Sequence, residues 1–524
     1  MKILQRSFWG IALSLTIVSA QYSFAQDAPS QEVPQVSEQE AQQAADSTTS
    51  EIQGMPTERE QVYFTIQDII ALSLKNNLDI SVKKIDPKVV DEEIINAEAV
   101  FDTNSEANAT YKFNEADSDN APTGVMGASA GVNKQSQSGR FYSATFGFEG
   151  TNYNSDSQLN DAYTTALKLE AVQPLMKNRG KDVNTTQIRI KQKQRDISLS
   201  QLNSQVISVI SDVMGAYWDL VNSRADLEAK RMSLKLANDL VKINEAQVEV
   251  GTLAPIEVLA AKAQAASRAV SVTAAELDVQ TKEDQLKKLL GLPSDDSIWE
   301  AAIIPTDPPQ VNAYGVTLED NIQSALANRE ELKQAKTGIE IQQISLAYLE
   351  NQLKPELNLI GGAGLVGANK EDEGIGDSFQ SIFRADSFNV SVGGKFTYPL
   401  GNRAAQSAYN KAKLGLDQQQ LSLQNLEQNL AVQVRINYRN VQTAYELIGS
   451  TRVARQLAQE QLDAEQKKFN EGLSTNFQVL DYQDQLTQAI TNEALAVAAY
   501  NKAIVNLEST TGITLQHYNI VVEP

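Results

Sequence analysis

Phe388-Asn389-Val390-Ser391-Val392-Gly393-Gly394-Lys395-Phe396-Thr397-Tyr398 alternates without a break. In a β-strand successive side chains point to opposite sides, so Phe388, Val390, Val392, Gly394, Phe396 and Tyr398 share one face, and Asn389, Ser391, Gly393, Lys395 and Thr397 share the other. A strand of this length with one apolar and one wet face fits the wall of a transmembrane barrel. Two further stretches alternate in the same way. Leu167, Leu169 and Ala171 interleave with Lys168 and Glu170, and Ala107, Ala109 and Tyr111 with Glu106, Asn108 and Lys112. Residues 356–366 form a weaker fourth strand. Residues 139–153 also look extended; they are assigned to a long loop, with an additional strand as the alternative. Four strands cannot close a barrel, and open edges in lipid leave backbone groups unpaired, so closure must come from further copies of the chain. An aromatic content of 6% is low for interface girdles, leaving Tyr111, Tyr163, Phe388, Phe396 and Tyr398 as candidates.

Working outward from the strands, the chain repeats itself. Thr65-Ile66-Gln67-Asp68 returns as Thr317-Leu318-Glu319-Asp320, two capping boxes that each predict a helix start. In the same register Ile70, Leu74 and Asn76 match Ile322, Leu326 and Asn328, and Asp79 is answered by Glu331. A second constant offset pairs Tyr217 with Tyr438, Gly251 with Gly472, Val258-Leu259 with Val479-Leu480, Leu286 with Leu507 and Gly291 with Gly512. The two offsets differ, so the first copy carries extra residues in between, where a loop accepts them. The strands fall in matching pairs, ending at Pro174-Leu175 and Pro399-Leu400.

From 181 to 250 there is no Pro and only Gly215 weakens helix, which predicts one helix on the order of 100 Å long. Gly251 to Pro255 breaks it, and Pro255 suits the first turn of a return helix reaching about Leu290. Ile256, Leu259, Ala263, Ala266, Val270 and Leu277 follow three-and-four spacing, as do Leu423, Leu426, Leu430, Val434, Val441, Ala444 and Ile448 in the second copy. Such spacing predicts coiled-coil seams.

Lys2 and Arg6, the apolar run from Phe8 to Ala20 and Ser23-Phe24-Ala25 make residues 1–25 an export signal. Residues 26–60 carry Asp27, Glu32, Glu38, Glu40, Asp46, Glu51, Glu58 and Glu60 against Arg59 alone, and predict a disordered acidic leader. The first repeat then spans 61–300, a linker 301–316, the second repeat 317–515 and a tail 516–524. With no Cys and the single His517, thiol, iron–sulfur and imidazole-cluster chemistry have no donors, so no metal, cofactor or catalytic residue is expected. A net charge of -21 argues against nucleic acid as a partner.

Taken together, the duplicated chain, the Gln173-Pro174-Leu175 strand exit and the turns at 251–259 and 472–481 resemble the TolC family of outer-membrane export channels over nearly all of residues 63–515. The resemblance implies an α+β membrane protein: a long antiparallel α-helical coiled-coil barrel crossing the periplasm, and four transmembrane β-strands per chain closing as a twelve-stranded barrel in a homotrimer. It implies a passive conduit through outer-membrane lipid, gated at its periplasmic tip and opened by a periplasmic adaptor and an inner-membrane transporter. In that setting Gly251, Thr252, Leu253, Gly472, Leu473 and Ser474 form the tip turns where the adaptor docks. Asp481 matches an acidic pore position, Gln478 stands where other members carry a second acid, and Glu257 matches an acid of the first turn. Phe469 and Ser474 occupy the places where some members latch the tip with Tyr and Arg. A periplasmic coiled-coil adaptor or scaffold is the nearest alternative; it shares the seams but lacks the strands and the duplication. An exported enzyme is the more distant one.

Overall fold

The computed structural model describes residues 59–113, 122–153, 162–368, 375–385 and 387–523. The expectations for 1–25 and for 26–58 lie outside them. The first repeat opens with β1 (Gln61–Phe64) and the helices α1 (Ile66–Asn76), α2 (Leu78–Lys83) and α3 (Ile85–Glu98). Four long strands follow: β2 (Thr103–Phe113), β3 (Pro122–Gln135), β4 (Phe141–Tyr153) and β5 (Ala162–Pro174). The single turn α4 (Lys181–Asn184) then leads to the 64-residue α5 (Thr186–Glu249), and α6 (Pro255–Leu290) returns alongside it. After β6 (Ala302–Pro305) the second repeat runs α7 (Leu318–Asn328), α8 (Glu330–Gln352), β7 (Glu356–Ala368), α9 (Ile375–Arg384), β8 (Phe388–Thr397), the 68-residue α10 (Arg403–Asn470), α11 (Asn476–Thr511) and α12 (Thr514–His517).

Local chemistry explains why the repeat folds twice. Thr65 and Asp68 cap α1 reciprocally, the Asp68 amide donating to Thr65 Oγ1 at 3.2 Å and the Thr65 amide to Asp68 Oδ2 at 3.0 Å. The Thr65 hydroxyl, 2.6 Å from Asp68 Oδ2, and the Thr65 amide together hold the Asp68 carboxyl below its ordinary pKa. Thr317 accepts from the Asp320 amide in the same way at the start of α7. At the other end of each repeat a left-handed glycine closes the helix, Gly291 at φ 67° and Gly512 at φ 72°. A Cβ on Gly291 would lie 2.6 Å from the Asn76 carbonyl oxygen, and one on Gly512 would lie 3.2 Å from the Asn328 carbonyl carbon. Glycine is required there because the end of the return helix packs directly on the end of the capped helix.

Buried Leu202, Val206, Ile210, Val213, Tyr217 and Leu220 of α5 pack on Ile69, Ile70 and Ile80 of the short helices and on Leu286 and Leu290 of α6. The second repeat builds the equivalent core from Leu430, Val434, Val441 and Ile448 of α10 with Ile322, Leu332, Tyr500 and Leu507. The linker holds β6, which pairs in parallel with β1. Tyr217 pins this junction: its hydroxyl donates to Asp307 Oδ2 at 2.8 Å and accepts the amides of Thr306 and Asp307, each at 3.1 Å. Burial raises its phenol pKa.

Two expectations are corrected. Among the described residues the sheet has six strands in the order β2-β3-β4-β5-β7-β8, antiparallel throughout, not four, so three chains no longer sum to twelve. The additional hairpin is β3–β4, which includes the extended stretch assigned to a loop. β3 hides its alternation because Gly124, Gly127, Ala128, Ser129, Ala130 and Gly131 offer little contrast between faces. The register still sorts the sheet into two faces. Ala107, Ala130, Phe146, Leu167, Leu365 and Phe388 lie side by side on the apolar one, and Asn108, Ser129, Thr145 and Lys168 on the polar one. Tyr111, Tyr163 and Phe388 sit at strand ends away from the helices, Phe396 at an end near them.

The second correction concerns α6. Its row Ile256, Leu259, Ala263, Ala266, Val270 and Leu277 is exposed, and the helix packs on its own chain through Ala261, Ala265, Arg268, Ala275, Val279 and Leu286 instead. Two parallel rows of three-and-four spacing run along this helix, and the charged Arg268 disguises the buried one. The predicted α10 row does face the core. The long first helix also differs slightly from expectation, because α4 ends at Asn184 and α5 begins at Thr186.

Candidate functional site

The two helical hairpins end in turns of one construction. At the first, Gly251 takes φ 77°, and the amides of Gly251 and Thr252 return to Val248 O at 3.0 Å and Gln247 O at 2.9 Å. At the second, Gly472 takes φ 73°, and the amides of Gly472 and Leu473 return to Phe469 O at 3.0 Å and Lys468 O at 2.8 Å. This is the glycine-terminated helix end in which a six-to-one bond satisfies an orphan carbonyl. Thr252 Oγ1 adds a bond to Gln247 O at 3.0 Å. Leu473 and, one turn on, Phe477 are 79% and 77% exposed, an apolar surface at the extreme end of the molecule.

Each predicted residue has a definite place. Ser474 donates to Glu465 Oε1 at 2.5 Å, and its Oγ lies 3.1 Å from Gln478 Oε1. With Lys468, Ser474 holds the Glu465 carboxyl below its ordinary pKa, and Glu465 in turn raises the Lys468 ammonium. Gln478 closes a capping box with Thr475, so its amide is engaged in starting α11. Asp481 is exposed one turn further along and accepts from Gln485 Nε2 at 2.7 Å. Glu257 joins the other hairpin through its backbone, its carbonyl accepting from Asn476 Nδ2 at 3.3 Å. Phe469 is buried with Leu462, Val479 and Leu486, filling the second hairpin from within.

The tie between the hairpins lies about three turns from the end, on a residue that sequence reasoning passed over. Arg268 of α6 is 5% exposed and donates to Ser233 O of α5 at 3.0 Å, and to Leu480 O at 3.2 Å, Gln483 Oε1 at 2.7 Å and Asp484 Oδ1 at 2.8 Å, all on α11. Gln264 Nε2 supports Asp484 from α6 at 3.3 Å. Burial lowers the guanidinium pKa and the Asp484 carboxylate opposes the shift, so the acceptors on α11 compensate the burial of a charge that the arginine keeps. A charged residue in an otherwise small apolar row, Ala261-Ala265-Arg268-Ala275, is the sequence signal that marks it. Among the described residues no group of three His, Cys, Asp or Glu side chains is arranged to hold a metal ion.

The sequence profile of the family described as "Outer membrane efflux protein" matches residues 105–292 and 321–513, which spans both repeats and the strands of each. No curated protein sequence matches. Solved structures of similar fold include the Campylobacter jejuni CmeC outer membrane channel, with 16% identity, 85% of each chain covered and a TM-score of 0.62. The Vibrio cholerae outer membrane protein VceC is similar at 14% identity, with 85% of this chain and 96% of that one covered and a TM-score of 0.61. The Neisseria gonorrhoeae MtrE outer membrane channel, described in its open state, is similar at 12% identity, 85% and 88% coverage and a TM-score of 0.59.

Proposed function

Because the chain belongs to the outer membrane efflux protein family, we propose that three copies form one passive conduit, closed as a single β-barrel and extended by a tunnel of long helices. The protein is an outer-membrane efflux channel with its helical part in the periplasm; the periplasmic adaptor reading is set aside. The observation that carries the trimeric conduit is the pair of free sheet edges. Among the described residues β2 and β8 each have a neighbour on one side only, while an apolar row from Ala107 to Phe388 crosses the sheet from one edge to the other. Unpaired strand edges in hydrocarbon are too costly to leave open, so β8 of one copy pairs with β2 of the next. Six strands per copy close at eighteen, and barrel diameter grows roughly in proportion to strand number, giving a bore about half as wide again as twelve strands would.

The exposed row of α6 supports the same ring, since a neighbouring copy is the surface that would cover Ile256, Leu259, Val270 and Leu277. At the tip, Gly251, Thr252, Leu253, Gly472, Leu473 and Ser474 shape the surface for a periplasmic adaptor, which with an inner-membrane transporter completes a tripartite assembly. Exposed Leu473 and Phe477 give that adaptor an apolar foothold. Asp481, repeated around the ring, places carboxylates at the constriction, with Glu257 and Gln478 beside it. No side chain has to do chemistry for such transport.

The chain contains no cysteine, so engineered pairs report contacts cleanly. Single cysteines placed along the outer edge of β2 and along that of β8 in one chain should give, on oxidation in the membrane, a covalent ladder ending at three copies. A ladder ending at two, or bridges formed only within single chains, would remove the trimeric ring.

A further inference from the structure

Between β7 and β8 the chain folds α9 back onto the apolar face of the sheet, at the end away from the long helices. Thr165 Oγ1 of β5 and Ser378 Oγ of α9 lie 2.9 Å apart, both wholly buried. The Phe379 ring stacks on Phe148 at 5.8 Å and tilts against Phe146 at 6.0 Å, both on β4. Gly367 is what allows the helix to come so near: a Cβ there would lie 2.1 Å from Ser378 O and 2.3 Å from Ser381 Oγ. Thr165 and Gly367 are direct cross-strand partners, and they interrupt a face otherwise made of Phe146, Leu167, Leu365 and Phe388. The helix covers that polar, under-filled patch.

We propose that α9 is a membrane-interface helix, lying on the outside of the barrel and binding lipid of the distal leaflet. This rests on the membrane-barrel reading above, since it takes the apolar face as the one turned to hydrocarbon. With Ser378 and Ile382 against the sheet, a step of about 100° per residue puts Phe379 and Phe383 on one flank and Asp377, Gln380 and Arg384 on the other. Phe383 is 87% exposed. A helix held sideways with one aromatic and one charged flank matches the boundary between acyl chains and headgroups: Phe383 extends the apolar face of the barrel, and Arg384 faces anionic headgroups. A helix in the lumen would instead lie on the polar face, among Lys168, Thr145 and Ser129, where α9 makes none of the contacts above. By resisting displacement in either direction, it fixes the height of the barrel rim in the membrane.

Three single-cysteine variants of the full chain, Phe383→Cys, Val390→Cys and Asn389→Cys, carry spin labels in phospholipid vesicles, and relaxation by oxygen is compared with relaxation by a water-soluble nickel chelate. Val390 reports the apolar face and Asn389 the polar face. The label at 383 should follow the one at 390, with oxygen contact dominant and nickel contact several-fold lower than at 389. In a Gly367→Leu background, which displaces the helix, nickel contact at 383 should rise while that at 390 stays unchanged. A label at 383 that behaves like the one at 389 would overturn the lipid-facing helix while leaving the barrel intact. A water-exposed label at 390 would overturn the barrel reading and this inference together.

Discussion

Arg268 shows how much one side chain does at the tip. From α6 its fork reaches four acceptors on two other helices, and among the described residues only Asp484 has a second side-chain donor there, Gln264. Arg268→Ala should destabilise the tip by about 2–3 kcal/mol, below the loss for a fully buried ion pair, because Asp484 is half exposed and regains water. Faster amide exchange confined to α6 and α11 near residues 260–270 and 478–488 is the expected signature, and Arg268→Lys should not restore protection, since an ammonium cannot reproduce the fork. Unchanged exchange would mean that Arg268 does not hold the two hairpins together. Asp481 bears on conduction instead of stability. Its carboxylate is exposed and held only by Gln485, so Asp481→Asn should leave folding unaltered and weaken the block of single-channel current by multivalent cations. A block of unchanged strength would place Asp481 off the pore. Asp481 is a candidate through its position in the family pattern. Arg268 is not, because a buried arginine is recognised by what surrounds it in three dimensions, and its acceptors Leu480, Gln483 and Asp484 lie more than 200 positions away.

At the scale of elements, legibility followed contrast between faces. β8 could be read at once because Phe and Val alternate with Asn, Ser and Lys, and the capped starts of α1 and α7 because Thr and Asp recur at fixed spacing. β3 could not, since glycine, alanine and serine look alike on both faces, and without β3 its partner β4 had nothing to pair with. For α6 the spacing is legible in the sequence and the direction of the row is not. Periodicity tells that a row is apolar but cannot tell whether the covering surface belongs to the same chain. The exposed row therefore predicts an assembly defect and not a folding defect. Val270→Asp, at a position 71% exposed in the single chain, should leave the helical circular dichroism intact and shift the detergent-extracted protein from trimer towards monomer. A variant that stays trimeric would show that a neighbouring copy does not cover this face.

For the whole molecule, the two repeats account for both the symmetry and its breaking. Each supplies a capped helix, strands, a helix of about 100 Å and a shorter return helix, but the first carries four strands of the shared sheet and the second carries two together with α9. The added hairpin is an insertion in the first repeat's strand region, the place where the change of offset located extra residues. In the proposed trimer it would widen the membrane portion without altering the hairpins that form the tip, so the bore of the barrel and the tip would be set by separate parts of the sequence. The most direct measurement is an electron cryo-microscopy cross-section, normal to the barrel axis, of the full chain in lipid nanodiscs. Eighteen strands contributed six at a time by three copies is the predicted result; twelve strands, with β3 and β4 outside the wall, or a sheet that does not close, would contradict it.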